Sequence, residues 1–208
     1  IQEKDEEYHV YPYKMEKGYR VNQARGLVSL GLFKDYDDIR NSPTQTFGTV
    51  QPGDIKYKDV NGDGIIDAND EVPIGATTRP NLMYGFGIAA NWKGLDVNVH
   101  FQGTGKSSFF VEGATVYAFS QGEWGNILSQ VASSDRWISA DISGDPATEN
   151  PNASYPRLSF DGNENNYRHS TFWLRDGSYL RLKTVELGYT LPKEIVNKIH
   201  FNNIRIYF

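Results

Sequence analysis

The sequence predicts an all-β chain forming part of a transmembrane antiparallel β-barrel with long extracellular loops. Three observations carry this expectation. First, Tyr and Phe number 13 and 11 and Gly 20, against 2 Met and no Cys; aromatics suit pleated surfaces and Gly suits turns. Second, two runs beginning at Leu82 alternate apolar with small or polar residues over about ten positions each, the length of strands that cross a bilayer. Third, the connections are unequal. Lys93-Gly94 is a two-residue reversal, whereas the stretch 103–170 is rich in Gly, Ser, Asn, Asp and Pro and shows little periodicity. The period alone fits a half-buried hairpin of a soluble sandwich equally well. Short turns beside long loops favour the barrel.

Composition narrows the function classes. The net charge of −5 is modest and no Lys/Arg run marks a nucleic-acid footprint, so no nucleic-acid partner is expected. Without Cys there is no disulfide framework, thiolate metal site or thiol nucleophile. No apolar run of about 18 residues predicts a transmembrane helix, which leaves a barrel open.

Taken in order, residues 1–81 read as an extracellular loop region with short strands and a calcium-type loop. "EEYHVYPYKM" suggests a short strand, Ala24 to Phe33 another, "DYDDI" one turn of helix and "NSPTQT" a loop. Residues 82–208 read as barrel strands interrupted by the long extracellular loop 103–170. Tyr84, Phe86, Ile88, Ala90 and Trp92 fall on one face of the first strand, 82–92. Leu95, Val97, Val99 and Phe101 alternate with Asp96, Asn98, His100 and Gln102 in the second, 95–102. Val185, Leu187, Tyr189 and Leu191 mark a third over 178–191, which Pro192 ends; "KEIVNKI" suggests a brief helical turn. Ile204, Ile206 and Phe208 mark a fourth over 203–208. Four strands do not close a spanning barrel, for which about eight is the usual minimum, so the chain is expected to be a fragment.

The motif richest in chemistry is Asp59-Val-Asn61-Gly-Asp63-Gly64-Ile65-Ile66-Asp67-Ala-Asn-Asp70. Calcium loops place short oxygen ligands at positions 1, 3 and 5, a Gly at 6, a backbone carbonyl at 7 and often a water-mediated ligand at 9. Asp59, Asn61, Asp63, Gly64, the Ile65 carbonyl and Asp67 meet these needs in order, and Asp70 replaces the usual bidentate Glu at position 12. The candidate metal residues are therefore Asp59, Asn61, Asp63, Ile65, Asp67 and Asp70, and the cofactor a structural Ca2+. An Asx/Gly-rich turn that holds no ion has the same composition. Helical flanks are absent, with "IKYKDV" before and Pro73 after, so the loop is one fitting on a β scaffold rather than an EF-hand.

Other apparent motifs fail on context. Gly85-Phe-Gly87-Ile-Ala-Ala90 matches a dinucleotide fingerprint, but that fingerprint must open a helix, and here strand alternation runs on to Trp92. Gly105-Lys106-Ser107 lacks the earlier Gly of a phosphate loop, His100 standing in its place. His9, His100, His169 and His200 have no ligand spacing, and no nucleophile or acid–base constellation stands out, so the chain is not expected to be an enzyme. Trp124 and Trp137 are the candidate substrate-stacking residues; the alternative for both is packing inside the long loop's own small core.

Five blocks in order resemble the SusC/RagA-type TonB-dependent transporters: "GLF" at 31–33, "GDIKYKDVNGDGIIDANDEVPIG" at 53–75, "YGFG" to "WKGLDVNVHFQG" over 84–103, "FWLRDGSYLRLKTVELGYTLPKEI" at 172–195, and "IRIY" at 204–207. The resemblance implies a 22-stranded barrel with an N-terminal plug, of which this chain is the C-terminal portion. It implies the outer membrane of a Gram-negative bacterium and import of oligosaccharides or peptides powered through TonB, which engages the N-terminal part missing here. It also implies a SusD-like surface lipoprotein as lid. On that reading Gly85, Gly87, Asp96, Asn98, His100 and Gln102 face the lumen, and Phe86, Trp92, Val97 and Phe101 face lipid. The rivals are a calcium-dependent secreted binding module, which if dockerin-like would want a second copy of the aspartate loop, and a secreted β-sandwich enzyme acting on glycans.

Overall fold

The structure is a computed structural model and describes residues 5–120, 125–133, 135–160 and 162–208. In chain order the elements are β1 (Gln23–Gly26), β2 (Ser29–Leu32), α1 (Tyr36–Arg40), β3 (Thr44–Gln45), β4 (Ile55–Tyr57), β5 (Ile65–Ile66), β6 (Val72–Thr77), β7 (Leu82–Trp92), β8 (Leu95–Gly105), β9 (Ser108–Phe110), α2 (Ser129–Ser133), α3 (Ala140–Ser143), β10 (Leu174–Asp176), β11 (Tyr179–Thr190), α4 (Lys193–Val196) and β12 (Arg205–Tyr207). They divide into two compact units, Ile1–Thr78 with Ser108–Asp176, and Arg79–Ser107 with Gly177–Phe208.

The second unit is an antiparallel sheet in the order β12-β11-β8-β7. Its long strands lie where the alternation predicts them. The turn between β7 and β8 has positive φ at both Lys93 (49°) and Gly94 (88°), the twist that lets a two-residue hairpin match its strands. Register then sorts the faces: Phe86 pairs with Phe101, Ile88 with Val99 and Trp92 with Leu95, while Gly85 pairs with Gln102 and Gly87 with His100. The Phe86 and Phe101 rings stack at 5.1 Å. In β11 the apolar phase slips from Leu180 and Leu182 to Val185, Leu187 and Tyr189, and the register shift between Leu182 and Thr184 corrects it. A bulge at Lys183 keeps Leu180 and Leu182 on the same face as the rest; without it they would point the other way.

The first unit holds an aromatic-rich core of Leu27, Leu32, Ile55, Tyr57, Ile66, Trp137, Ala153 and Trp173. Short two-stranded pairings, β1 with β6, β2 with β4, β3 with β5 and β9 with β10, surround it. The long connection 103–170 carries short elements of its own: it extends β8 to Gly105, forms β9, α2 and α3, and supplies Trp137 and Ala153 to the core. Two local expectations fail. Residues 12–14 form a 3-10 turn, because Pro12 fixes φ and lacks an N–H, and Arg25 then donates to the carbonyls of Tyr13 (2.7 Å) and Met15 (2.5 Å). "NSPTQT" contains β3, which pairs in parallel with β5. The helix turns at 36–40 and 193–196 form as expected, Asp35 capping the first by accepting from Asp38 N.

A buried polar network ties the connection to the N-terminal segment. β4 pairs with β2 on one side only. Along its other edge, side-chain amides take the place of a neighbouring strand. Asn166 Oδ1 accepts from Ile55 N (2.8 Å), Gln45 Nε2 and Asn165 Nδ2 donate to Ile55 O (both 3.0 Å), and Gln45 Oε1 accepts from Tyr57 N (2.7 Å). Next to it Asp54, fully buried, pairs with Arg157 at 2.8 Å and accepts from Asn163, Asn166 and Gln51 N. Replacing Asn166 by Ala strands a buried N–H and should cost about 2–3 kcal/mol. Hydrogen exchange at the Ile55 amide is the direct check: it should accelerate strongly in Asn166→Ala and much less in Asn163→Ala, whose amide is one of several donors to Asp54.

Candidate functional site

The aspartate loop forms between β4 and β6. Gly62 (φ 78°) and Gly64 (φ 83°) take the left-handed conformations that its reversals require. The side chains then turn inward on the loop's own backbone. Asp59 accepts from Gly62 N (2.6 Å) and Gly64 N (2.8 Å), Asn61 Oδ1 from Asp63 N (3.0 Å), and Asp63 Oδ1 from Ile65 N (2.8 Å). Asp67 caps the short turn that follows by accepting from Asn69 N (2.6 Å). Ile65 is exposed, whereas Ile66 enters the core and anchors the loop's far side through β5.

Asp70 stands apart from the other carboxylates. It is fully buried, and its two oxygens accept from Val60 N (2.7 Å), Asn61 N (3.4 Å) and Asp67 N (2.9 Å). It therefore clasps the two ends of the loop together. From outside, the 3-10 turn braces the loop: Tyr13 donates to Asn69 O at 2.9 Å, Lys14 Nζ to Ala68 O, and Asn61 Nδ2 to Tyr11 OH at 3.2 Å. Burial, and then the negative charges of Asp70, Asp63 and Asp59 together with Tyr11, push the Tyr13 phenol above its ordinary value. Among the described residues, no group of three or more His, Cys, Asp or Glu is drawn together as a metal-ligand cluster.

The two tryptophan candidates part company. Trp124 lies outside the described residues. Trp137 is 7% exposed and belongs to the core, with its indole laid against Gly53 so closely that a Cβ there would strike the ring. Gly53 also has φ 85°, so the position is closed to side chains twice over. Burial removes Trp137 as an open stacking platform. Its remaining edge borders a cleft between the segments 34–36, 51–52 and 136–142, a feature that no spacing in the sequence reveals.

The four-stranded sheet supplies the other candidate surface. On one face Phe86, Ile88, Trp92, Leu182, Val185, Leu187 and Ile206 are all about half exposed or more. The opposite face carries Asp96, Glu186 and Arg205, joined by Arg205 contacts of 2.5 Å to Asp96 and 2.6 Å to Glu186, and Arg181 donates to Gln102 at 3.1 Å. A continuous apolar face on a sheet with a charged reverse is unusual for water-exposed structure.

No protein-family model matches the chain. Among curated proteins it is similar to TonB-dependent receptor P26 of Formosa agariphila, with 32% identity over 190 residues covering 91% of this chain and 18% of that protein. TonB-dependent receptor P3 of the same organism is 29% identical over 193 residues, 93% of this chain and 17% of that protein. Among solved structures it is similar to the RagAB peptide transporter, with a TM-score of 0.60 at 17% identity over 89% of this chain and 18% of that one. The RagAB peptide importer in its open-open state gives a TM-score of 0.58 at 19% identity, over 96% of this chain and 19% of that one. These relatives are receptors and transporters rather than enzymes. The chain belongs to the TonB-dependent receptors, and it matches less than a fifth of the length of the relatives named here.

Proposed function

We propose that this chain is part of the C-terminal barrel of an outer-membrane transporter that imports oligosaccharides or peptides. The observation that carries the reading is the two-faced sheet. Its β7 and β8 are 11 residues long and β11 is 12, enough at barrel tilt to cross the hydrocarbon layer. Lipid covers Phe86, Trp92, Val97 and Phe101, and the lumen takes Gly85, Gly87, Asp96, Asn98, His100 and Gln102. β7 and β12 pair onward with neighbouring strands of the same barrel, removing the open edges. The setting is the outer membrane of a Gram-negative bacterium. The partners are TonB, reached through a plug, and a SusD-like lipoprotein that covers the mouth.

In this reading the first unit belongs to the extracellular loops, and its aspartate loop holds a structural Ca2+. The donor set fits a hard cation: Asp59, Asn61, Asp63 and Asp67 offer short oxygen side chains, and Ile65 offers its carbonyl. Bound calcium would supply positive charge among these oxygens and fix the loop's conformation. Asp70, with both oxygens on backbone N–H groups, holds the ring of the loop closed as well as standing at its twelfth position.

Three outcomes are expected of the intact receptor carrying this chain. Purified from isolated outer membranes in detergent, it should bring down a stoichiometric surface lipoprotein identifiable by mass spectrometry. Recovery only in soluble fractions without such a partner would sink the transporter reading and favour the secreted calcium module.

Phe86→Lys should lower the amount of assembled receptor far more than Asn98→Lys, because Lys or Arg on the lipid face costs about 2–4 kcal/mol at the midplane and a lumen position does not pay that penalty. Equal tolerance of the two would show that the faces are wrongly assigned.

Calcium at a hundredfold excess over its dissociation constant should protect the 59–70 loop from proteolysis by about 3 kcal/mol relative to chelator. Asp63→Ala should abolish that difference while leaving the chelated protein nearly unchanged. Asp70→Ala should weaken both states, since it removes the clasp. Identical cleavage with and without calcium in the unmodified protein would remove the ion from the account.

A further inference from the structure

Asn61 is the only asparagine of the sequence that is followed by glycine. An asparagine side chain brings its amide carbon within reach of the next residue's backbone nitrogen, and a five-membered ring can close between them. A side chain on that next residue crowds the approach. Gly62 has none, and a Cβ at this position would meet nothing within 4 Å. Gly62 is also exposed, so water reaches the peptide.

Hydrogen bonds hold this chemistry in check. Asn61 Oδ1 accepts from Asp63 N at 3.0 Å, and Nδ2 donates to Asp63 Oδ2 at 2.9 Å and to Tyr11 OH at 3.2 Å. Gly62 N donates to Asp59 Oδ1 at 2.6 Å. All of these bonds are exposed or only partly buried, where water competes for both partners, so none of them locks the Asn61 amide. Asp59, Asn61 and Asp63 are also ligands in the calcium reading. A cation on the Asn61 oxygen would fix the amide far more firmly than its present partners do.

We infer that Asn61 is a site of spontaneous deamidation, open in the ion-free loop and closed when the loop is occupied. Protection rests on the calcium reading; the reactivity of the Asn61-Gly62 peptide does not. Gly62 N attacks Asn61 Cγ and forms the new N–C bond of a cyclic imide. Its proton passes by way of the Asp59 carboxylate, which already accepts it, to Nδ2. The Cγ–Nδ2 bond breaks and ammonia leaves. Water then opens the imide at either carbonyl carbon, giving an aspartate or an isoaspartate whose backbone runs through the former side chain. The aspartate adds negative charge at the third loop position. The isoaspartate inserts an extra backbone carbon between Asp59 and the Gly62 and Gly64 amides that it binds, and so pulls the inner ring of the loop apart.

The test holds the intact receptor in detergent at mildly alkaline pH, with calcium or with chelator. The 59–70 segment is then followed by mass spectrometry after digestion, with electron-based fragmentation separating aspartate from isoaspartate. Asn152, exposed but followed by Ala153, and Asn69, exposed in the same loop but followed by Asp70, are internal comparators. In chelator Asn61 should be lost while both comparators stay intact. At a hundredfold excess of calcium over its dissociation constant only about one loop in a hundred is ion-free, so conversion should slow by about a hundredfold. Asn61→Gln, whose longer side chain closes no five-membered ring, should stay intact in both conditions. If that variant does not assemble, the comparison within the unmodified receptor still decides. Asn61 persisting in chelator as long as Asn152 would overturn the inference; calcium-dependent protection of the same sample from proteolysis would then leave the calcium reading standing without it. Equal conversion in calcium and chelator would overturn the ion's control of the site, and with it the place of Asn61 among the ligands.

Discussion

The first unit depends on how the free edge of β4 is satisfied. A three-residue strand carries backbone donors and acceptors into a core of Leu27, Tyr57 and Trp173, where water does not compensate them. Gln45, Asn165 and Asn166 meet those groups with side-chain amides, each able both to donate and to accept. The same asparagines reach further. Tyr57 OH donates to Asn165 O at 2.6 Å, Trp173 Nε1 to Asn166 O at 2.7 Å, and Asn166 Nδ2 to Asp54 at 2.8 Å. Burial pushes the Tyr57 phenol well above its ordinary range, consistent with a hydroxyl that serves as a neutral donor. Two segments more than a hundred residues apart are thereby locked in one register.

That lock explains how a Gly- and Asn-rich connection holds a fixed shape. Short strands and one-turn helices are unstable alone. Here they are held by Trp137 against Gly53, by the Tyr117 and Tyr167 rings stacked at 4.3 Å, and by the Phe110 and His169 rings stacked at 4.2 Å. Burial, with Glu112 and Tyr167 nearby, pushes the Tyr117 phenol up to about 12, so this stack stays uncharged across the physiological range. The aspartate loop is fixed by the same means at smaller scale, with Ile66 pinned in the core and Asp70 joining its two ends.

The four-stranded sheet obeys a different constraint. Its strands are regular because both faces must stay consistent along their whole length, and the Lys183 bulge is the single irregularity that consistency requires. The apolar face has no partner among the described residues of its own unit, which the barrel reading assigns to lipid. The charged pair of Asp96 and Glu186 around Arg205 sits across β8, β11 and β12 on the other side, so the polar face is cross-linked between strands as well as hydrated.

What the sequence determined by itself is whatever depends on neighbours along the chain. Alternation at 82–92, the Lys93-Gly94 reversal and the run that stops before Pro192 are local signals, and each appears in the structure where it was expected; the spacing of Asp59, Asn61, Asp63 and Gly64 is a local signal of the same kind. The strand proposed before residue 15 failed for an equally local reason, since Pro12 favours a tight turn that Arg25 then secures. Tertiary structure alone decided the rest. Nothing in the order of residues says that Asn165 and Asn166 finish the edge of β4, that Trp137 is buried against Gly53, that Asp70 is a clasp, or that Arg136 and Lys34 border one cleft. Those relations join segments distant in sequence, where hydrogen-bond satisfaction and burial act through space and leave no periodicity to read.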